Sequence, residues 1–310
     1  MIITVTMNPA IDKTVMIDSF CRGGLNRIKA AEYDAGGKGI NVSKTIKALG
    51  GESIATGFLC GNCGKTIETV LEQKEISHDF IWVEGETRTN TKVVEDGGIV
   101  TELNEPGPVI GKKQMEQLFT KILEYAKKGT LFVLSGSVPP GTDQMIYARL
   151  ISLLHDRGAQ VLLDADGELL ENGLRKKPDI VKPNRRELER YGGLNPGDTE
   201  NELLTVAKRI KAEGTKTVAV SMGAEGALFL VDDYAVRCPA LSVTSHSTVG
   251  AGDAMVAALA LAWDKNLAFE ETVRLCMAAS AGAVTTQGTK PPAKKLVDEL
   301  MEQVVIEKIL

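Results

Sequence analysis

Short apolar runs alternate with amphipathic helical patterns along almost the whole of this 310-residue chain, and no other feature restricts its fold as much. Residues 2–7, 53–58, 131–135, 161–164, 180–182 and 218–221 are apolar nearly throughout, without the in–out alternation of a half-solvated strand. That is how strands buried on both faces read. Between them lie helical patterns. The clearest covers residues 112–127, where Met115, Leu118, Phe119, Ile122, Leu123 and Ala126 recur at helical spacing and leave lysines and glutamates on the opposite face. The rhythm predicts an α/β fold in three layers, a mainly parallel central sheet with helices on both faces. The length suits one large core with a small appendage.

Two stretches break the rhythm. Residues 13–33, and residues 88–103 with a turn at Asp96-Gly97-Gly98, read as extra strands with no crossover helix. They predict a small second sheet, a lid formed by about residues 11–35 and 86–104, inserted in a single domain of residues 1–310. There is no internal repeat, low-complexity segment or Pro/Ser-rich linker, so the two parts are interleaved rather than strung end to end. A small exposed sheet presents edges and an apolar face that a homodimer through the lid could cover.

Composition removes several classes of function. A net charge of −5 gives no overall pull toward nucleic acid or anionic lipid, although a local basic pocket could hold a small anion. Residues 254–263 form the longest apolar stretch, well short of the ~20 residues that cross a bilayer. The first twelve residues lack a secretory leader, so a cytoplasmic protein is expected. Five scattered cysteines fit a reducing compartment. Cys60 and Cys63 form a C-x-x-C, but with no second such pair and three histidines in the chain they read as packed thiols rather than a redox pair or half a zinc site.

Three segments carry chemistry. Ser247-Thr248-Val249-Gly250-Ala251-Gly252-Asp253 is a glycine-rich turn opening into an apolar helix. Backbone N–H groups of Gly250, Ala251 and Gly252 at such a helix start bind anionic oxygens. Asp253 would repel a phosphate but is well placed to take a proton from an attacking hydroxyl. The alternative is a plain helix start using glycine for a tight turn. In Gly36-Gly37-Lys38-Gly39-Ile40-Asn41, the glycines permit close approach, Lys38 offers a cation and Asn41 suits sugar hydroxyls. Gly64-Lys65-Thr66 would end a phosphate-binding P-loop if residue 59 were glycine, but it is Leu59, which leaves Lys65 as a solvated lysine. In Lys182-Pro183-Asn184-Arg185-Arg186-Glu187, the oxygens of Asn184 and Glu187 share one helix face and suit a hydrated Mg²⁺. A capping box explains the same pair equally well.

Taken together and in this order, these segments resemble the PfkB, or ribokinase-like, family of carbohydrate kinases over essentially the whole chain. Asn8-Pro9-Ala10-Ile11-Asp12 matches the family's opening N-P-x-x-D, Gly36 and Gly37 its di-glycine, and Gly250 to Asp253 its G-A-G-D. Asn184 and Glu187 match N-x-x-E, and Ser221-Met222-Gly223-Ala224-Glu225-Gly226 matches S-x-G-x-x-G. The resemblance implies a β lid closing over the sugar, ATP with Mg²⁺ as donor, and in-line transfer to a primary hydroxyl with Asp253 as base. It implies Asp12, Gly37, Asn41 and Ser137 on the acceptor, and Lys182, Asn184, Ser221, Gly223, Gly226 and Thr248 on the nucleotide side.

Residues 87–92, 104–108 and 135–141 are most similar to the branch of the family that acts on ketohexose phosphates, fructose 1-phosphate first and tagatose 6-phosphate as the alternative. A phosphorylated acceptor needs cations, and the resemblance brings Arg27, Lys38, Arg88 and Lys92 together to supply them. For any one of these, a surface cation is the alternative. A sugar-phosphate sensor that has lost turnover is the reading from another class. The retained Asp253 argues against it.

Overall fold

A computed structural model describes residues 1–232 and 234–309. The main sheet has eleven strands. Its parallel part runs, in spatial order, β12 (Thr217–Ser221), β11 (Ile180–Val181), β10 (Gln160–Asp164), β9 (Leu131–Ser135), β1 (Ile2–Thr6), β4 (Ile54–Cys60) and β5 (Ser77–His78), with β6 (Ile81–Val83) beside the far end of β4. Alternate residues of each strand enter opposite cores. Ile3, Val5, Phe132, Leu134, Val161, Leu163, Val218 and Val220 face one way. Ile2, Leu131, Val133, Leu162 and Ala219 face the other. Both faces are therefore covered, which is why these runs are apolar without alternation.

The first core is closed by α3 (Lys112–Tyr125), α4 (Ile146–His155), α5 (Gly167–Leu174), α6 (Arg185–Gly192) and α7 (Glu200–Ala212). The second is closed by α1 (Lys38–Ala48), α8 (Ala251–Lys265), α9 (Phe269–Val284) and α10 (Lys294–Met301). Helix α8 is apolar on every side because it lies against the sheet while packing on both α1 and α9. The predicted helix at 112–127 ends at Tyr125, and the predicted strand at 53–58 extends to Cys60 because β6 pairs with its last residues.

The expectation of a mainly parallel sheet holds, with one edge antiparallel. There β13 (Ala227–Val231), β14 (Tyr234–Cys238) and β15 (Glu307–Lys308) extend the sheet beyond β12. The β12–β13 turn depends on Gly226, at φ 102°, where a Cβ would overlap the Cys238 carbonyl oxygen.

A second sheet of four strands has the order β3 (Ala30–Gly36), β2 (Ala10–Ile17), β7 (Arg88–Glu95), β8 (Val100–Asn104). It is built from the two stretches that break the βα rhythm. The hairpins lie side by side, so β2 and β7 at its centre pair in parallel. Its base rests on a third cluster, where Ile11, Ala35 and Ile40 meet Ile67 and Leu71 of α2 (Gly61–Gln73). Among the described residues no helix is long and apolar enough to cross a membrane.

Candidate active site

The parallel strands end in polar residues on one edge of the main sheet. These are Thr6, Ser135, Asp164 and Ser221, with Lys182 directly after β11. The carboxyl edge of a parallel sheet is where α/β folds bind ligands. Here it opens on a cleft of about 1250 Å³ roofed by Asp12, Asn90, Lys92 and Glu102 of the second sheet. A smaller recess of about 240 Å³ shares Lys38, Arg88, Asn90 and Asn104 with it.

Helix α8 starts at the cleft floor. Gly250 takes the left-handed conformation as its N-cap, at φ 86°, so the chain turns sharply. The N–H groups of Ala251, Gly252 and Asp253 then fall in the first helical turn, where no intrahelical acceptor exists and the helix dipole is positive. Asp253 is buried and accepts a 2.9 Å hydrogen bond from Asn41 Nδ2. Burial pushes its pKa up to about 6, a rise opposed by Lys38 and reinforced by Asp164. It is thus a carboxylate that holds or releases a proton near neutrality.

Asn41 and Lys38 come from α1. Gly37, at φ 104°, starts that helix where a Cβ would press on Thr6 and Pro9. Lys38 Nζ lies 3.3 Å from Asp164, whose other neighbours are Lys182 Nζ at 3.4 Å and Ser135 Oγ at 3.2 Å. Burial works against the ionised Asp164, but the two ammonium groups outweigh it and keep its pKa below the usual range. Burial likewise opposes the charge on Lys38, yet Asp164, Asp253 and Glu187 raise its pKa above that of a free lysine.

Polar side chains without partners gather at the acceptor end. Six buried side-chain atoms among the described residues lack a hydrogen bond, and four of them, Thr6 Oγ1, Asn8 Oδ1, Arg88 Nε and Asn90 Oδ1, belong to residues lining the smaller recess. Buried polar atoms are normally satisfied, so this concentration marks a place for a polar ligand. Arg88 is held by the carbonyls of Asn8 (3.1 Å) and Glu105 (3.2 Å) and lies 3.4 Å from Ser137 Oγ. Burial lowers its pKa. Asn90 Nδ2 donates to Asp12 at 3.2 Å, which joins the recess to the roof. Lys92 is 8% exposed and has no ion pair among the described residues. Arg27 departs from the expectation. Strand β2 runs away from the core, and residues beyond Ile17 form the distal loop, so Arg27 is exposed there and does not line the cleft.

The other end of the cleft is lined by Asn184, Ser221, Gly223, Gly226 and Thr248, with an apolar wall of Leu241, Val243, Met255, Met277 and Val284. Asn184 and Glu187 form the capping box of α6, each side chain accepting from the other's backbone N–H. The cap uses Oε2 of Glu187 and leaves Oε1 outside it. Burial raises the Glu187 pKa. Among the described residues no group of three or more His, Cys, Asp or Glu side chains could cage a metal. Lys65 is exposed and paired with Glu68. Cys60 is buried at the end of β4, Cys63 lies in the first turn of α2, and burial pushes both thiols up.

Asp164 and Thr6 were not singled out from the sequence, and Asn8, Asn90 and Asn104 entered only within matched segments, with no role of their own. The signal for Asp164 was a polar residue closing an apolar strand.

Comparisons with known proteins bear on what such a cleft does. Residues 5–296 match the pfkB family of carbohydrate kinases. The chain is 35% identical over 309 residues to a 1-phosphofructokinase of Haemophilus influenzae, covering 99% of this chain and 98% of that one. It is 31% identical over 313 residues to a tagatose-6-phosphate kinase of Staphylococcus epidermidis, covering all of both. Among solved structures it is similar to Escherichia coli phosphofructokinase-2 in complex with fructose-6-phosphate, with a TM-score of 0.90, 28% identity, and 97% and 98% of the two chains covered.

Proposed function

The chain belongs to the pfkB family of carbohydrate kinases, and we propose that it transfers the terminal phosphoryl group of MgATP to the free primary hydroxyl of fructose 1-phosphate, giving fructose 1,6-bisphosphate. One observation carries this reading. A buried carboxylate of raised pKa, set at a helix N-terminus, shares a cleft with a cation-lined recess whose polar atoms lack partners.

Asp253 accepts the proton of the attacking hydroxyl. At pH 7 a carboxyl of pKa about 6 is mostly ionised, yet it is basic enough to take part in the transfer. The N–H groups at the start of α8 receive the charge that gathers on the phosphoryl oxygens. Lys182 adds positive charge on the donor side, and Asp164 fixes where it lies. Arg88, Lys38 and Ser137 bind the phosphate already on the acceptor. Asp12 and Asn41 bind ring hydroxyls, and the second sheet acts as the lid. The apolar wall takes the base of ATP, with Lys182, Asn184, Ser221, Gly223, Gly226 and Thr248 near the rest of the nucleotide. A Mg²⁺ that keeps its waters needs no protein cage, and Glu187, whose Oε1 is not used in the cap, would hold it through water. When bound, the ion neutralises charge on the donor phosphates. The lid also leaves Phe20, Leu25, Ile28, Tyr33, Ile99 and Leu103 exposed, an apolar surface suited to a second copy of the chain.

The acceptor follows from the shape of the sugar. In β-fructofuranose the C1 and C6 arms flank the ring oxygen, so flipping the ring nearly exchanges them. What distinguishes fructose 1-phosphate from fructose 6-phosphate is the C2 hydroxyl, adjacent to the phosphate arm in one pose and to the reacting arm in the other. Leaving a buried group unpaired costs ~1–3 kcal/mol, so fructose 1-phosphate is expected to be preferred by roughly ten- to a hundredfold in kcat/KM. Comparing kcat/KM for fructose 1-phosphate, fructose 6-phosphate, tagatose 6-phosphate and fructose under saturating MgATP tests this. The similarity to a tagatose-6-phosphate kinase supports a second reading, which a higher value for tagatose 6-phosphate would establish. Efficient use of free fructose would remove the phosphate-binding role from Arg88 and Lys38. No ADP release with any acceptor would favour a sensor.

A further inference from the structure

Lys44 has no part in the chemistry above, yet it is a lysine only 4% exposed. Lysines are rarely buried without a carboxylate in contact, because desolvating an ammonium is costly. Lys44 has no such ion pair among the described residues. Its Nζ donates at 2.6 Å to the carbonyl of Ala35. That carbonyl stands at the end of β3, immediately before Gly36 and Gly37, where the second sheet joins the core.

The groups facing the ammonium come from four elements. Asp34 lies on β3 and Asp12 on β2, Lys74 follows α2, and Asp253 lies on α8. The negative charges that act on it most thus belong to the second sheet, while the lysine belongs to the core. Asp12 and Asp34 are cross-strand neighbours in register. The Asp12 carboxylate packs so closely over Gly36 that a Cβ there would collide with it, and Asp34 Oδ2 would lie 2.6 Å from a Cβ on Gly288. On α1, Lys44 shares a face with Asn41, three residues earlier, which holds Asp253.

We propose that Lys44 is a positioning residue that moors the second sheet to the core at Ala35 and so sets Asp12 over the acceptor. The part concerning Asp12 rests on the function proposed above, whereas the mooring itself does not. Burial pushes the Lys44 pKa down to about 8, so the protein carries this charge at a cost below that pH. Replacing it with a chain of similar volume should therefore leave the fold as stable or more so, while function suffers.

The test compares Lys44→Met and Lys44→Arg with the unaltered protein. In Lys44→Met, Tm is expected to hold or rise, and hydrogen exchange over residues 30–36 to quicken by about tenfold with the α8 region unchanged. KM for the best phosphosugar should rise by about tenfold while KM for ATP stays within about twofold. Lys44→Arg should restore both. In the unaltered protein the acceptor KM should rise above pH 8 as the ammonium is lost. Lys44→Arg, which stays charged, should lack that rise even if Lys44→Met fails to fold. Unchanged exchange over residues 30–36 overturns the mooring, and faster exchange with an unchanged acceptor KM overturns the placement of Asp12. Exchange needs no substrate, so absence of turnover with every phosphosugar would refute the proposed function while leaving the mooring decided.

Discussion

Replacing Asp253 with Asn should slow the enzyme and stabilise the protein at once. The kinetic part is the usual value of a general base, a fall in kcat of ~10²–10⁴, with ATP affinity kept or improved because a negative charge has left the helix N-terminus. The stability part follows from the pKa. A carboxyl that titrates near 3.8 when unfolded and about 6 when folded binds its proton more tightly in the native state. Its contribution is present in full below pH 3.8 and is lost as pH rises through 6. About two pH units at 1.36 kcal/mol each gives ~3 kcal/mol lost by pH 7.5. Asn carries no charge and avoids that loss. With an unfolding entropy of about 2.1 cal/mol/K per residue, 3 kcal/mol corresponds to a rise in Tm of roughly 4–5 °C for a chain this long. The assays are ADP release under saturating substrates from pH 5 to 9 and calorimetric Tm at pH 5 and 7.5. The unaltered enzyme should show an acidic limb in kcat near pH 6 that the variant lacks, and the Tm gain should shrink at pH 5. Activity within a few-fold of the unaltered enzyme, or an equal Tm at pH 7.5, would refute the reasoning.

Arg88→Ala and Lys38→Ala should each weaken the phosphorylated acceptor by ~1.5–3 kcal/mol, seen as a raised acceptor KM with a nearly unchanged KM for ATP. An effect confined to ATP would move them to the donor side. Gly226→Ala should lower stability by at least ~2 kcal/mol in a denaturant titration, since it combines a positive φ with overlap of the Cys238 carbonyl; a change below 0.5 kcal/mol would contradict that geometry. Cys60→Ser with Cys63→Ser should keep activity within about twofold and remove no zinc, and a reductant response that needs both thiols would show that they act as a pair.

The three-layer core was legible because strands buried on both faces leave a plain record: every residue of β1, β9 and β12 is apolar or small. The break in that record at the two hairpins was equally plain. Their parallel junction was not, because β2 and β7 are more than 70 residues apart and each looks like half of its own hairpin. The last strand of the antiparallel edge left no trace, because β15 is two exposed residues with no pattern of their own. In the site, glycines announced themselves because turns and helix starts need them, as at Gly37 and Gly250. Asp164 did not, since strand pairing brings it Ser135 and Lys182 while α1, packed on β1 and β9, brings Lys38 from 126 residues away. Arg27 shows the converse. A cation in a suggestive stretch is placed by the direction of its strand, and β2 carries it outward.

The position of β1 bears on how the chain is assembled as it is made. Strand β1 is made before its two neighbours and lies inside the finished sheet, with β4 on one side and β9 on the other. Once residue 60 has emerged, β1 can pair with β4, but its second edge stays open until residue 135 is out. An apolar strand with an open edge invites pairing with other chains. From β9 onward the order of synthesis equals the order in space, each strand through β15 being laid against the one before. When β9 docks, the open edge therefore passes from β1 to β9 and is then handed from strand to strand until β15 covers β14.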